Sequence, residues 1–439
     1  MATTARTLLK LLVDQRNWSY KDFSRAFERT AVRLLGTSIS VSEATYRRWT
    51  AGKLQSLPST DARRVLQEMF DTPVNGLFQE PGTQVAPTTS SPTPDLESEI
   101  AMTAHAASND AGATAAQSIS DMTVDQLRDD LVTLARQYHE LSPLTVFRKA
   151  RSLRTEAEHQ RDLTRVPQQQ QELLIAAGQA CALLSQAAFD MGALEDATRL
   201  ARSAALYAET ARFTPLRAYA QGSLAICFYF TGRPGHAVRL VREALSYPGL
   251  GDVGRRRLFA IEARAHGHLG DHDLAHRALH ASANQAQGLR DDLHDSINGE
   301  FGFAEERLVM SNGTTCLLLE DGQGAETAAQ RALALLNARP TAHRSVSVRG
   351  KAAADLASAM VLKRDVDAAA EILETVWAVP PEKRVAGLLE RTNTLRVALS
   401  APAFQGSQIA HQLAERVEDF SRLASQQRLN SANVLAIES

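Results

Sequence analysis

The chain has 439 residues, of which 44% are apolar and 22% are charged, a composition typical of soluble globular proteins with room for two to four domains. Its 48 basic and 50 acidic residues give a net charge of −2, so the overall charge indicates neither a nucleic-acid nor a membrane partner. Three widely spaced cysteines exclude a disulfide framework. The sequence shows no membrane span and no signal-peptide core, so we expect a cytoplasmic protein.

Charge counted by segment divides the chain into three parts. Residues 1–80 carry 12 basic and 8 acidic side chains, whereas residues 81–120 carry four acidic side chains and no basic one. The middle segment is rich in Pro, Thr, Ser and Ala, and it cannot bury enough surface to offset the entropy of ordering. We therefore predict a small basic domain at 1–80, a flexible linker at 81–120 and a large neutral domain at 121–439.

Amphipathic patterns predict three or four short helices in the first domain. The first helix runs from about Thr7 to Gln15. The second begins at Ser19, whose spacing to Asp22 is typical of a capping box. Its predicted buried face consists of Phe23, Ala26, Phe27, Ala31 and Leu34. The fourth helix carries apolar residues at helical spacing, namely Ala62, Val65, Leu66 and Met69.

The third helix combines a buried apolar side with an exposed polar and basic side. A capping box at Ser40 to Glu43 predicts its start, and Gly52 predicts its end. The residues expected to face outward are Ser42, Thr45, Arg47, Arg48 and Lys53. Such a helix suits the major groove of DNA, where polar side chains read base edges and arginines contact guanine or phosphate. The alternative is a small helical domain with solvated arginines, since a net charge of +4 is modest.

From Met122 onward the apolar spacing is helical almost throughout, so the predicted fold class is all-α. Five segments share a pattern in which a helix with small residues and a turn precede a second helix. The predicted turn residues are Gly192, Gly232, Gly270, Gly324 and Arg364, each followed five residues later by an alanine. Each helix pair buries its remaining face only against the next pair, so the pairs stack. The alternative is a plain helical bundle.

Further helices are expected on both sides of this array. Helices beginning near Thr123 and Ser142 lead into it, and helices near Ala386–Leu399 and Ser407–Arg428 close it. The longest step between turns, from Gly270 to Gly324, indicates an insertion around Asp291 to Phe303.

Stacked helix pairs bind ligands along the face that the first helix of each pair lines. The residues that the register places there are Gln186, Tyr219, Ile226, Tyr229, Arg257, Arg264, His268, Ser311, Lys351 and Ser358. Among these, the expected ligand contacts are Tyr219, Tyr229, Arg257, Arg264, Ser311 and Lys351. Tyrosine and arginine commonly anchor interfaces, and this set suits a short peptide with an acidic group or a free carboxylate. The alternative is that this face is exposed to solvent and binds no ligand.

Two further patterns are assigned to structure rather than to chemistry. Gly249 to Gly254 satisfy G-x-G-x-x-G, but a helix rather than a strand precedes them, so we predict a turn between repeats. His272, His276 and His280 share one helix face that could hold zinc, but that face is expected to be solvated, so no metal is predicted. The chain has no P-loop, H-E-x-x-H or G-x-S-x-G motif, and we predict neither enzymatic activity nor a cofactor.

One part of the first domain is similar to a known family. The run is SEATYRRWTAGKLQSLPSTDARRVLQEMFDTPVNGLF. It resembles the XRE (Cro/repressor-type) helix-turn-helix, with an aromatic residue three positions before a glycine, then a proline, then LxxxFxxPxxxLF. The likeness covers about 60 residues, and the segment from Ala31 to Ser40 is longer than the family's usual turn. The spacing of the repeats resembles tetratricopeptide repeats, and the whole order resembles actinobacterial XRE regulators that carry such repeats.

The resemblance implies a transcriptional regulator. It would bind operator DNA as a homodimer and respond to a peptide, small-molecule or protein ligand at its repeats, since some proteins of related architecture sense small peptides in this way. The rival hypothesis is an interaction scaffold that acts through the repeats without binding DNA. Salt dependence distinguishes the two, because DNA binding weakens steeply as salt rises.

Overall fold

The computed structural model describes residues 6–54, 57–81, 96–285, 287–340 and 344–437. Every regular element in these ranges is a helix and none is a strand, which confirms the predicted all-α fold class. The chain divides into two compact units, Met1–Ala104 and His105–Ser439, called here the first unit and the second unit.

The first unit contains a cluster of short helices that agrees closely with the sequence pattern. They are α1 (Leu8–Gln15), α2 (Tyr20–Leu35), α3 (Glu43–Thr50), α4 (Thr60–Phe70) and α5 (Val74–Leu77). The predicted capping box at Ser19 and Asp22 is formed. The one predicted at Ser40 is wrong, because Ser42 is the N-cap and its hydroxyl accepts a hydrogen bond from the Thr45 N–H at 3.2 Å.

An aromatic cluster forms the core of the first unit. The Phe23 ring lies 4.9 Å from that of Tyr46, and the Phe27 ring lies 6.2 Å from that of Trp49. These contacts attach α2 to α3. The prediction that Leu34 is buried is wrong, since it lies in the last turn of α2 and is 42% exposed.

Part of the predicted linker is helical. Residues Leu96–Ala116 form α6, and the side chains described in it are exposed. The stretch is rich in alanine, which has the highest helix propensity, so it can form a helix without contributing to a core. Residues 96–116 of the predicted flexible linker are thus helical, whereas residues 82–95 lie outside the described residues.

The second unit has a helical repeat-like architecture. Its helices are α7 (Asp121–Gln137), α8 (Pro143–Leu163), α9 (Pro167–Asp190), α10 (Leu194–Thr210), α11 (Thr214–Phe230), α12 (Pro234–Leu245), α13 (Asp252–Leu269), α14 (His272–Ala283), α15 (Glu305–Leu318), α16 (Gly322–Ala338), α17 (Val346–Leu362), α18 (Val366–Trp377), α19 (Ala386–Leu399) and α20 (Gln408–Ile437). Consecutive helices pack in pairs, and the first helix of each pair, from α7 to α19, packs against the first helix of the next. The predicted leading and closing helices are confirmed as the outermost pairs.

The turns within the pairs have a common backbone conformation. The residues with positive φ at these turns are Gly192, Gly232, Gly270, Glu320 and Arg364. The fourth turn is therefore at Glu320, and the prediction of Gly324 is wrong by one helical turn. Ala325 and Ala329 are both buried on the same side of α16, so the alanine pattern fits either register.

The predicted insertion lies between α14 and α15. It contains a π-helix, Asp292–Ile297, and then turns inward toward α7. The Glu300 N–H donates a hydrogen bond to the Ala135 carbonyl at 2.8 Å. The insertion is thus fixed against the first helix pair of the array.

The two ends of the array meet. Helix α19 packs against α9, and the Lys383 ammonium before α19 donates a hydrogen bond to the Glu140 carbonyl after α7. The first helices of the seven pairs therefore surround a common interior.

Helix α9 is, among the described residues, the one helix long and apolar enough to cross a membrane. Most of its apolar stretch is buried against the neighbouring helices, as expected of a core helix. All three cysteines are free, and burial raises the pKa of the Cys181 thiol in α9 to about 11.

Candidate functional site

Helix α3 presents the residues predicted to contact DNA. Ser42, Arg47, Arg48 and Lys53 are exposed and Thr45 is half-buried. The Arg47 guanidinium donates to the Glu43 carboxylate at 2.6 Å, and Arg48 donates to the Thr45 hydroxyl at 3.2 Å. Exposed pairs of this kind contribute little stability, so either guanidinium can exchange its partner for a phosphate or a base edge.

Helix α3 is fixed at both ends. At its start the Tyr20 hydroxyl donates to the Val41 carbonyl at 2.9 Å. At its end the Thr7 hydroxyl donates to the Thr50 carbonyl at 3.0 Å. Together with the buried Trp49 ring, these bonds hold the exposed face of α3 in a defined orientation within the first unit.

The second unit contains a cavity of about 120 Å³ that is lined from all seven helix pairs. Five of the expected ligand contacts line it, namely Tyr229, Arg257, Arg264, Ser311 and Lys351, and so do Gln186 and Ile226 of the predicted face. A larger cleft of about 670 Å³ shares His139, Phe303, Arg307 and Val348 with it. The register therefore brings five of the six expected ligand contacts to one place.

Tyr219 is the sixth residue, and it lies beneath the cavity rather than in its wall. Its side chain is 1% exposed, and its hydroxyl donates to a Glu300 carboxylate oxygen at 2.9 Å. The Arg257 guanidinium covers the ring at 4.0 Å from its centroid. The expectation that Tyr219 contacts a ligand is wrong, because Arg257 and the insertion cover it.

Glu300, from the insertion, is the centre of a buried ionic cluster. Arg307 lies 3.2 Å from one carboxylate oxygen and His139 lies 3.2 Å from the other. Burial alone would raise the pKa of Glu300, but the charges of Arg307 and His139 and the hydrogen bond from Tyr219 lower it to about 2. Glu300 is therefore ionised, and its charge is balanced by its own partners.

Arg391 in the cavity wall and Asp355 behind it form a second buried pair. The Arg391 Nε lies 2.9 Å from the Asp355 carboxylate, and Thr314 bridges both groups at 2.7 Å. Burial raises the pKa of Asp355, and the Arg391 charge opposes that rise. The positive charge of Arg391 is therefore compensated by the Asp355 carboxylate, which is 1% exposed.

Arg264 and Lys351 differ from these paired groups. Arg264 donates to the Ser311 carbonyl and hydroxyl at 3.2 Å each. Within the described ranges, no carboxylate lies within 4.0 Å of the side-chain nitrogens of Arg264 or Lys351. Burial lowers the pKa of Lys351 to about 8, opposed by the charge of Asp190. Arg257 likewise donates only to the Tyr219 carbonyl and the Ser223 hydroxyl, at 3.1 Å each. Among the described residues, the cavity therefore holds three cations without a direct ionic partner.

Asp190 is the remaining acid in the cavity wall. It accepts a hydrogen bond from the buried Tyr138 hydroxyl at 2.7 Å. Burial raises the pKa of Asp190, and the charge of Lys351 and the Tyr138 hydrogen bond oppose the rise. Asp190 is held by a neutral donor and attracts Lys351 from beyond ion-pairing distance.

Sequence reasoning missed several residues of the cavity wall. They are Tyr138, His139, Asp190, Glu300, Arg307 and Arg391. Asp190 lies four residues after Gln186, which the register does place in the wall, so the helical period alone could have found it. Glu300 carries no such signal, because it belongs to an insertion without a repeat register.

The two patterns assigned to structure lie away from this cavity. His272, His276 and His280 are exposed on α14, and the described residues hold no group of three or more metal-ligating side chains close enough to bind an ion. Gly249 has a φ of +74° in the turn between α12 and α13.

No protein-family model matches the chain, and no curated protein matches it either. Inferences about function therefore rest on the surface of α3 and on the cavity of the second unit.

Proposed function

We propose that this protein is a transcriptional regulator whose first unit binds operator DNA and whose helical repeats bind a regulatory ligand. The observation that carries the proposal is the exposed face of α3, which combines Arg47, Arg48 and the polar N-terminal turn on a helix anchored by Tyr46 and Trp49. A short helix presented in this way has the dimensions and chemistry of a major-groove reader.

Three further features support the assignment. The first 80 residues carry a net charge of +4 in a chain that is otherwise acidic. The exposed guanidiniums of α3 are held only by weak surface contacts, so DNA binding would break no buried interaction. The second unit supplies a cavity with excess cationic groups, which suits a ligand-sensing role.

The test is DNA binding by the full chain. Binding sites are selected from random duplexes, and fluorescence anisotropy then measures affinity for a selected and a scrambled duplex across a range of salt. The double variant R47A/R48A should bind the selected duplex at least about ten-fold more weakly, with the slope of log affinity against log salt reduced by about two.

The matched control is R199A/R202A, which removes two exposed arginines from the second unit and should bind DNA as the wild type does. Failure to enrich any duplex, with no salt-dependent binding, would overturn the regulator and favour the interaction scaffold. Unchanged affinity of R47A/R48A would overturn the assignment of α3 as the contact helix.

A further inference from the structure

We propose that the cavity of the second unit binds a small organic dianion, a compact molecule with two carboxylates or one phosphate group. The inference deepens the proposed function and rests on it for the regulatory role of the site, since it names the chemical class of the ligand. The binding site itself is argued only from the size, charge and free donors of the cavity.

The volume of the cavity suits a ligand of a few heavy atoms. A cavity of about 120 Å³ is slightly smaller than the ~150 Å³ engineered cavity that accepts benzene. Sites for drug-sized ligands occupy ~300–1,000 Å³. A ligand of about six to eight non-hydrogen atoms therefore fits inside the cavity.

The charge of the wall selects an anion. Five permanently or normally cationic side chains line the cavity, namely Arg257, Arg264, Arg307, Lys351 and Arg391. The carboxylates available to them are Asp190 and Glu300 in the wall and Asp355 behind it. The excess is two positive charges, and uncompensated charge in a desolvated site is costly. A ligand with two negative charges removes that cost.

The free donors show where the anion would be held. One terminal nitrogen of Arg264 donates hydrogen bonds to Ser311. The Nε of Arg264 is buried without a hydrogen-bond partner in the described structure. Lys351 lines the cavity and is attracted by the charges of Asp190 and Glu300, neither of which forms an ion pair with it. Arg264 offers a planar donor group and Lys351 a point charge, a combination that suits a carboxylate or phosphate oxygen set.

Apolar side chains complete the wall and orient the ligand. Phe189, Ile226 and Phe230 line the cavity beside these charged groups. A carbon chain between two carboxylates, or the organic part of a phosphate ester, would contact them. Inorganic phosphate would use the charged groups alone.

The experiment is isothermal titration of the full-length protein with succinate and with inorganic phosphate at fixed ionic strength. Succinamide is the neutral control, since it matches the shape of succinate without its charge. Succinate, phosphate or both should bind, and succinamide should not. Succinate alone would identify a dicarboxylate site and phosphate alone a phosphate site.

Variants place the binding in the cavity. R264Q and K351M should each weaken the dianion at least ten-fold, whereas the exposed-site controls R199Q and K149M should leave the affinity unchanged. K351M should also raise the melting temperature of the ligand-free protein, which shows that the variant folds and that the cavity carries excess positive charge. Lack of binding by both dianions at 10 mM, equal binding of succinamide, or full affinity in R264Q and K351M would overturn the site.

Failure of this proposal and failure of the proposed function give different results. Dianion binding without any DNA binding would leave the site standing and remove the regulator. Sequence-selective DNA binding without dianion binding would support the DNA-binding regulator and overturn the dianion site.

Discussion

Lys351 is the residue whose charge state depends most on its position in the cavity. Its ammonium faces Asp190 and Glu300 as attracting groups and Arg307 and Arg391 as repelling ones, and desolvation outweighs their combined effect. Desolvation disfavours the charged form, so burial lowers the pKa of Lys351 to about 8 from an ordinary value of 10.5. The side chain is thus poised to lose its proton at mildly alkaline pH.

Succinate binding should therefore weaken as the pH rises. Lys351 is largely protonated at pH 7 and largely neutral at pH 9, and the fraction that can bind the dianion falls about ten-fold over that interval. Titration calorimetry at pH 7, 8 and 9 measures the change.

The control for this pH dependence is K351M, whose weaker succinate affinity should not change between pH 7 and 9. If the succinate affinity of the wild type stays constant over the same interval, the positive charge of protonated Lys351 does not contribute to succinate binding.

The residues responsible for the family resemblance explain what such a likeness can predict. Trp49, Leu66, Phe70 and Leu77 of the quoted run are all buried in the first unit, and Phe78 packs its ring 6.2 Å from that of Trp49. The sequence pattern thus consists of buried residues that pack against one another, and it therefore predicts the helices and the core well. It contains no information about Arg47 or Arg48, whose contacts depend on exposed side chains that no core pattern constrains.

Elements within the second unit are predictable where small residues repeat, and less so elsewhere. The alanines after each turn are buried because two helices approach closely there, so the sequence predicts the pairs. The fourth turn was predicted one helical turn too late for two reasons. Ala325 and Ala329 lie one helical turn apart on the same face, so either fits the alanine pattern. A glycine at 324 is also a stronger turn signal than Glu320. Only the backbone, with a φ of +56° at Glu320, resolves the register.

The turn residues make a prediction about stability. Arg364 is exposed and has a φ of +65°, a left-handed conformation that a residue with a Cβ adopts at a cost. R364G should raise the free energy of unfolding of the second unit by about 0.5–1 kcal/mol, since glycine relieves that cost but adds entropy to the unfolded chain.

The reverse substitution, G270A, places a Cβ at a φ of +70° and should lower the stability by about 1 kcal/mol. Thermal melts followed by circular dichroism compare both variants with the wild type. A lower melting temperature for R364G would mean that the arginine side chain makes a stabilising contact that outweighs the backbone strain.

At the scale of the whole second unit, the cavity exists because the array closes. Tyr138 follows the first helix of the first pair, Arg391 lies in the last pair, and Glu300 comes from the insertion between α14 and α15. A repeat pattern defines how each pair packs on its neighbour, and it predicts the face on which Arg257, Arg264 and Lys351 lie. It does not define how far the array turns, so the meeting of its two ends could not be predicted from the sequence.

The whole molecule offers a thermodynamic test that joins the two proposed sites. If a dianion in the second unit changes the affinity of the first unit for its operator by some factor, the operator must change the affinity for the dianion by the same factor. Couplings of this kind are commonly between about 5-fold and 150-fold. Anisotropy measured with and without saturating succinate gives one factor, and calorimetry with and without a saturating selected duplex gives the other.

Both factors should be equal and different from one in the wild type. At the succinate concentration that just saturates the wild type, the operator affinity of K351M should change less, because that variant binds the dianion at least ten-fold more weakly while keeping the surface of α3. R47A/R48A should bind succinate normally, since its substitutions leave the cavity untouched. Equal factors of one in the wild type would mean that the cavity binds its ligand without any influence on DNA. The dianion would then be a structural ligand of the second unit, and the regulatory signal would have to act elsewhere on the protein.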